Sequence, residues 1–191
     1  MKIVKIASQV NRYRDRATIF LHDGKGNVLA AHQAPSATEA PYHFPGGGIH
    51  EKESIHNPIP SDKTVSKGLH REALEELGYK LKSVESFNFP PSEITMSPEW
   101  QARIQRKRGE LYYGIREHMR AAQAGKRDLS LYNSEGDAFE RFNPKFTPAK
   151  TMADELRKHS KNKFVSDGKR ENMIRQAAFL DEIHKRYAKG K

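Results

Sequence analysis

The sequence contains no cysteine and no long apolar run. The absence of cysteine among its 191 residues excludes a disulfide framework, a cysteine-ligated zinc site and a thiol nucleophile. No stretch approaches the roughly 18 apolar residues of a transmembrane helix, so we expect no membrane partner. The N-terminus has basic residues but no continuous apolar region typical of a secretory signal. Together these absences favour a soluble protein of a reducing compartment, expected to be the cytoplasm.

The sequence has, in contrast, an excess of positive charge. Lys and Arg number 34 against 24 Asp and Glu, a formal net charge of +10. Such a balance indicates an anionic partner, either nucleic acid or polyphosphate. The basic residues concentrate in segments 101–127 and 145–191, where an RNA 5′-end could bind. Solubility alone is the other interpretation of this charge.

The order of apolar runs and turn residues predicts strands first and helices last. Segments 17–21 and 28–31 flank a glycine-rich turn and predict a β-hairpin. Ser61 or Asp62 is a good N-cap for a helix to Leu77, which Gly78 ends. The chain length suits one domain, and this order predicts an α/β class with helices on both sides of a sheet. Further strands are expected at 81–89, at 111–115 with its continuation, and at 137–142, and further helices at 98–106, 148–159 and 170–187.

Three carboxylates share one face of the helix predicted for residues 62–77. Glu72, Glu75 and Glu76 stand at positions i, i+3 and i+4, so their like charges repel one another. A divalent cation relieves that repulsion, and clustered carboxylates favour a hard ion, Mg²⁺ or Mn²⁺. The alternative is a solvated acidic face. The glycine-rich turn at 45–48, just before this helix, favours the metal site.

Segment 45–79 resembles the Nudix box of the Nudix hydrolases, which reads Gly-x5-Glu-x7-Arg-Glu-U-x-Glu-Glu-x-Gly-U, where U is bulky and apolar. One departure is clear, because seventeen residues separate the two halves where the family pattern has seven. The extra ten, roughly 54–63, are expected to bulge from the loop before the helix. The matching positions are Gly47 and Glu53 in the first half, and Arg71, Glu72, Glu75, Glu76 and Gly78 in the second.

The resemblance implies a fold and a reaction. The fold would be a Nudix-like α/β/α sandwich with a mixed sheet and an additional C-terminal helix. We expect a catalytic domain over 1–160 and a basic helical extension over 161–191 that packs on the same domain. The reaction would be metal-dependent hydrolysis of a pyrophosphate bond in a nucleoside diphosphate linked to another moiety.

The resemblance also implies roles for the residues of the box. Glu75 and Glu76 would be the chief metal ligands, and Glu72 a ligand or the general base. The turn at 46–48 would bring a backbone carbonyl, that of Gly47, to the metal. Arg71 would orient the carboxylates through an ion pair with Glu53.

Candidate substrate-binding residues lie outside the box. Arg12, Arg14 and Arg16 precede or begin the first strand, and arginine forks match phosphates. His43 is a candidate for phosphate contact or proton transfer, as are His50, His56 and His70, although each could be a surface residue. Trp100 would stack on a base or anchor packing.

Three functions therefore stay open at the level of sequence. The first is a pyrophosphohydrolase of small nucleotides, such as a dinucleoside polyphosphate, ADP-ribose, a nucleotide sugar or a nucleoside triphosphate. The second is the same chemistry on an RNA 5′-end. The third is a non-catalytic module that binds nucleotides, against which the complete acidic triad argues. The oligomeric state is not indicated by any feature of the sequence.

Overall fold

The computed structural model describes residues 13–32, 38–49, 59–108, 112–127 and 144–188. Within these ranges no helix is long and apolar enough to cross a membrane. The predicted strand at 137–142 and half of the expected insertion, residues 54–58, lie outside the described residues, as do Arg12, Glu53, His50 and His56.

One mixed sheet of eight strands forms the centre of the described fold. Its long central strands pack apolar side chains on both faces, as expected of a sheet covered on both sides. The strands are β1 (Tyr13–His22), β2 (Asn27–His32), β3 (Tyr42–His43), β4 (Gly46–Gly48), β5 (Tyr79–Glu85), β6 (Ser92–Thr95), β7 (Gly114–Arg127) and β8 (Lys145–Pro148).

Parallel pairing of β1 with β7 is the feature that builds the site. Arg16 pairs with Glu117 and Thr18 with Met119, although about a hundred residues separate the two strands along the chain. All other strand pairs are antiparallel, and the main path runs β3-β2-β1-β7-β5. The short strand β4 pairs with β1 on the edge opposite β7.

Four helices complete the described fold: α1 (Asp62–Leu77), α2 (Pro98–Arg108), α3 (Ala149–Ser160) and α4 (Asp167–Tyr187). Helix α1 covers one face, where Leu69, Ala73 and Leu77 pack against alternate residues of β1. Helices α3 and α4 cover the other face, against a core that includes Phe20 and Met119. This confirms the α/β/α sandwich with a mixed sheet and C-terminal helices.

Several local predictions are confirmed. The hairpin forms, with His22 of β1 paired to Val28 of β2. Helix α1 begins after Ser61, whose hydroxyl accepts a hydrogen bond from the Thr64 amide. It ends at Gly78, whose φ of 67° is the left-handed conformation that glycine adopts without strain. Helix α2 also forms at its predicted place.

Other predictions need correction. The strand expected at 81–89 runs from Tyr79 to Glu85, because Gly78 ends α1 and the chain enters the sheet at once. The strand expected at 111–115 with its continuation is β7, which begins only at Gly114 and runs to Arg127. Helix α4 begins at Asp167 rather than at residue 170, and its His184 is partly buried whereas the neighbouring Ile183 is fully buried.

Candidate active site

Helix α1 holds the three carboxylates next to the sheet. The buried side of the helix includes Glu72 beside its apolar residues, and this side also faces the strand β4. The Glu72 side chain is buried, that of Glu76 is half-buried, and that of Glu75 is exposed. The three acidic residues therefore share one helix face but occupy different environments.

The glycine strand β4 approaches the carboxylates more closely than other residues could. The amide of Gly46 donates a hydrogen bond to Glu76 Oε2 at 3.3 Å. A Cβ added at Gly47 would collide with the Glu72 carboxyl group, and one at Gly46 would collide with the carbonyl oxygen of Ala17. Residues 45–48, predicted to turn or to approach something closely, thus form a paired strand that lies against the acidic helix face.

Arg71 joins the carboxylates to that strand. Its guanidinium donates to Glu75 Oε2 at 2.7 Å and to the backbone carbonyl of Gly48 at 3.3 Å, and it also donates to Glu72 Oε1. A planar guanidinium with several fixed donors suits this role, whereas an ammonium would not span three acceptors. The expected partner Glu53 lies outside the described residues, so its pairing with Arg71 stays a prediction.

Glu72 and Glu76 form an interacting carboxylate pair. Burial and the neighbouring Glu72 carboxylate raise the pKa of Glu76 to about 7, against the opposing effects of the Gly46 amide and Arg16. Two carboxylates this close do not both ionise readily at neutral pH. The pair therefore holds a proton that a cation would displace.

The donor set suits a hard divalent cation. Two carboxylate groups and the backbone of β4 converge, and all of their donor atoms are the oxygens that Mg²⁺ and Mn²⁺ prefer. Among the described residues, no group of three His, Asp or Glu side chains is arranged to hold a metal ion, since Glu75 is turned to Arg71. Glu72 and Glu76 are thus the side chains that fit such an ion as they stand.

The structure brings part of the predicted substrate-binding set to the same place. The Arg14 guanidinium lies over Gly48, with Nη2 at 2.9 Å from the position of an added Cβ. Arg16 follows on the same side of β1. His43 is half-buried, and burial together with the charge of Arg16 lowers its pKa. Arg12 lies outside the described residues, and its assignment stays a prediction.

A cavity of about 280 Å³ opens between the sheet and α4. It contains two predicted residues, Arg16 and His43, and several that the sequence reasoning missed. The missed polar residues are Thr18 on β1, Glu117 on β7, and Asn172 and Gln176 on α4. The one available signal was the run of charged residues in β7, a strand otherwise buried.

Trp100 and His70 do not line this cavity. Trp100 on α2 is 49% exposed, so it neither anchors packing nor lines the cavity. His70 is exposed on α1. His50 and His56 fall in a segment outside the described residues.

Comparison with known families agrees with this geometry. A family model described as the NUDIX domain matches residues 12–158, which is well over half of the chain. The chain therefore belongs to the NUDIX family. It is an enzyme, a pyrophosphohydrolase of the Nudix type. Among curated proteins, none matches the chain in sequence.

Several solved structures are similar to this chain. A NUDIX hydrolase from Nitrosomonas europaea is 14% identical, with 92% of this chain and 93% of that chain covered and a TM-score of 0.51. An ADP compounds hydrolase is also 14% identical, over 92% and 75%, with a TM-score of 0.49. The dihydroneopterin triphosphate pyrophosphohydrolase of E. coli is 12% identical, over 88% and 99%, with a TM-score of 0.47. At these identities the likeness concerns the fold.

Proposed function

We propose that this protein hydrolyses a pyrophosphate bond in a small nucleotide, with Mg²⁺ or Mn²⁺ held by Glu72 and Glu76. The observation that carries the proposal is the convergence of these two carboxylates on the glycine strand β4. A Cβ at Gly47 would fill the space that the Glu72 carboxyl group occupies. When bound, the divalent ion supplies Lewis-acid stabilisation of the negative charge that develops on the phosphoryl oxygens.

Residues around the proposed metal ion position the carboxylates and activate the attacking water. Arg71 fixes the Glu72 carboxylate, which acts as a metal ligand or as the general base toward the attacking water. Gly46 holds Glu76 through its amide. Glu75 pairs with Arg71 and is exposed, so it joins the ion as a ligand only by leaving that pair.

Positive side chains beside the carboxylates support an anionic substrate. Arg14 lies over Gly48, and Arg16 pairs in register with Gly48 while lining the neighbouring cavity. Arginine forks match the geometry of phosphate oxygens. A nucleotide placed with its phosphates at these arginines would have its base at the cavity and its pyrophosphate at Glu72 and Glu76.

An RNA 5′-end is the second candidate substrate. Lys169 on α4 stands at the mouth of the cavity, at the start of the basic C-terminal helix. A cavity of about 280 Å³ admits one base, whether that base belongs to a free nucleotide or to the first residue of an RNA. The two candidates therefore differ only in contacts beyond the first nucleotide.

A substrate panel tests the proposal. Nucleoside triphosphates, ADP-ribose, dinucleoside polyphosphates, nucleotide sugars and triphosphorylated or capped RNA are each incubated with Mg²⁺ or Mn²⁺ in ¹⁸O-labelled water. Product masses identify the substrate, and the labelled product identifies the attacked phosphorus. We expect hydrolysis of at least one free nucleotide that chelation of the metal abolishes. Turnover of RNA alone would favour the second candidate, and no turnover in the whole panel would contradict both.

A further inference from the structure

The cavity between the sheet and α4 contains a buried carboxylate whose charge is incompletely matched. Glu117 is only 6% exposed. Its Oε1 accepts a hydrogen bond from the Thr18 hydroxyl at 2.6 Å, but its Oε2 has no hydrogen-bond partner among the described residues. Removing a carboxylate oxygen from water without a compensating donor is costly. The position is therefore better suited to a bound ligand than to the empty protein.

Thr18 holds the Glu117 carboxylate in place through a hydrogen bond to one of its two oxygens. The hydroxyl occupies one oxygen, and the other belongs to a side chain that lines the cavity and has no partner among the described residues. Arg16, paired with Glu117 across the strands, adds a complementary group, since its buried Nε donor is also without a partner within the described chain. One face of the cavity thus presents an acceptor and a donor side by side.

The opposite wall of the cavity contains a second hydrogen-bond acceptor without a donor. The Oδ1 atom of Asn172 on α4 is buried and, in the part of the chain that the structure describes, accepts no hydrogen bond. Tyr42 and Phe44, both almost fully buried, contribute aromatic surface to the same cavity. Flat heterocycles stack favourably on such aromatic surface.

The size of the cavity limits the ligand part to one ring system. Its volume of about 280 Å³ is at the lower end of the roughly 300–1,000 Å³ typical of ligand pockets. Its position fixes which part enters, because Thr18 pairs with Gly46 and Arg16 with Gly48 of the glycine strand. The phosphates lie at that strand in the proposed function, so the base lies in the cavity.

We propose that Glu117 selects substrates whose ring presents adjacent N–H donors, the 2-amino-4-oxopyrimidine edge that guanine and pterins share. The ring N–H and the exocyclic amino group of that edge donate to the Glu117 carboxylate, and the neighbouring oxo group can accept from Arg16. Adenine turns an acceptor nitrogen toward the carboxylate, and hypoxanthine lacks the amino donor. This inference rests on the proposed function and narrows its substrate class.

Binding of nucleoside monophosphates tests the inference without relying on hydrolysis. Isothermal titration calorimetry compares GMP, IMP and AMP on the full chain. Because a hydrogen bond to a charged group contributes about 1.5–3 kcal/mol, GMP should bind roughly 10-fold to 150-fold more tightly than IMP. AMP should bind no better than IMP. Equal affinities for the three nucleotides would overturn the inference.

A substitution then assigns the selectivity to Glu117. In Glu117→Gln we expect the preference for GMP over IMP to fall to within about threefold, since an amide offers one acceptor and one donor. Glu171→Gln, an exposed carboxylate on α4 outside this cavity, should keep the wild-type preference. An unchanged preference in Glu117→Gln would overturn the assignment. If that variant does not fold, the wild-type panel still decides.

The same experiment distinguishes guanine from pterin as the ring that binds. It also distinguishes a failure of the proposed function from a failure of the base preference. Neopterin is titrated beside guanosine, and tighter binding of either one identifies the source. A monophosphate contains no pyrophosphate bond, so a GMP preference in a chain that hydrolyses nothing would contradict the proposed function alone. Nucleotide hydrolysis without any base preference would contradict this inference alone.

Discussion

Arg16 and Glu117 occupy paired positions on the parallel strands β1 and β7, and both line the cavity between the sheet and α4. The pairing places a cation next to β4, the proposed site of the phosphates, and an anion beside that cation on β7. A nucleotide has the reverse arrangement, with anionic phosphates and a base edge that donates hydrogen bonds. The site is thus complementary to a nucleotide along its length.

The close approach of Gly47 to Glu72 predicts a specific defect in Gly47→Ala. The added Cβ would collide with the Glu72 carboxyl group and displace it from the metal position. We expect kcat/KM to fall by at least about tenfold, since losing even supporting groups of a metal site commonly costs 10-fold to 100-fold. Gly168→Ala is the matched control, because an added Cβ there meets nothing within 4 Å. Similar activity in the two variants would refute the role of the glycine strand.

Arg71→Lys tests whether the planar guanidinium of Arg71 positions the carboxylates. Lysine keeps the charge but cannot hold Glu72, Glu75 and the Gly48 carbonyl together. We expect activity to fall about 10-fold to 100-fold and the metal concentration for half-maximal rate to rise. Binding of GMP without metal should stay unchanged, because Arg71 does not line the cavity. A loss of GMP binding equal to the loss of rate would indicate general structural damage instead.

The pKa of Glu76, raised to about 7 from its ordinary 4.5, predicts how pH affects stability without metal. Between these two values the folded chain holds a proton that the unfolded chain has released. Stability from this group is therefore present at pH below 4.5 and is lost as the pH rises through 7. A divalent ion binds the deprotonated pair, so Mg²⁺ should raise the melting temperature more at pH 8 than at pH 5.5. Equal shifts at both pH values would contradict the carboxylate pair.

Helix α4 offers a test of the core that is independent of catalysis. Ile183 is fully buried, whereas His184 is only partly buried at the rim. Ile183→Ala should cost about 2–5 kcal/mol of unfolding free energy, while His184→Ala should cost about 1 kcal/mol or less. Chemical denaturation measures both. A larger loss for His184→Ala would contradict the register of α4.

The catalytic helix could be predicted from sequence because its determinants are local. Ser61, Gly78 and the spacing of Glu72, Glu75 and Glu76 lie within one short segment, and their geometry follows from the helix alone. The resemblance to the Nudix box rests on the same segment. These predictions needed no knowledge of which strands pair.

The cavity could not be predicted because its parts are distant along the chain. Thr18 and Glu117 are 99 residues apart, and Asn172 comes from a third element. Parallel pairing of β1 with β7 brings them together, and no local pattern encodes that pairing.

The metal-dependent hydrolysis assigned to Glu72 and Glu76 is tested most directly by one comparison of rates. Nucleotide hydrolysis with Mg²⁺ is measured for the wild type, for Glu76→Gln, and for Glu99→Gln, an exposed carboxylate on α2. We predict that Glu76→Gln loses at least about a hundredfold in rate, the upper end of what losing a supporting group of a metal site costs, while Glu99→Gln keeps the wild-type rate. Full activity in a folded Glu76→Gln protein would contradict the assignment.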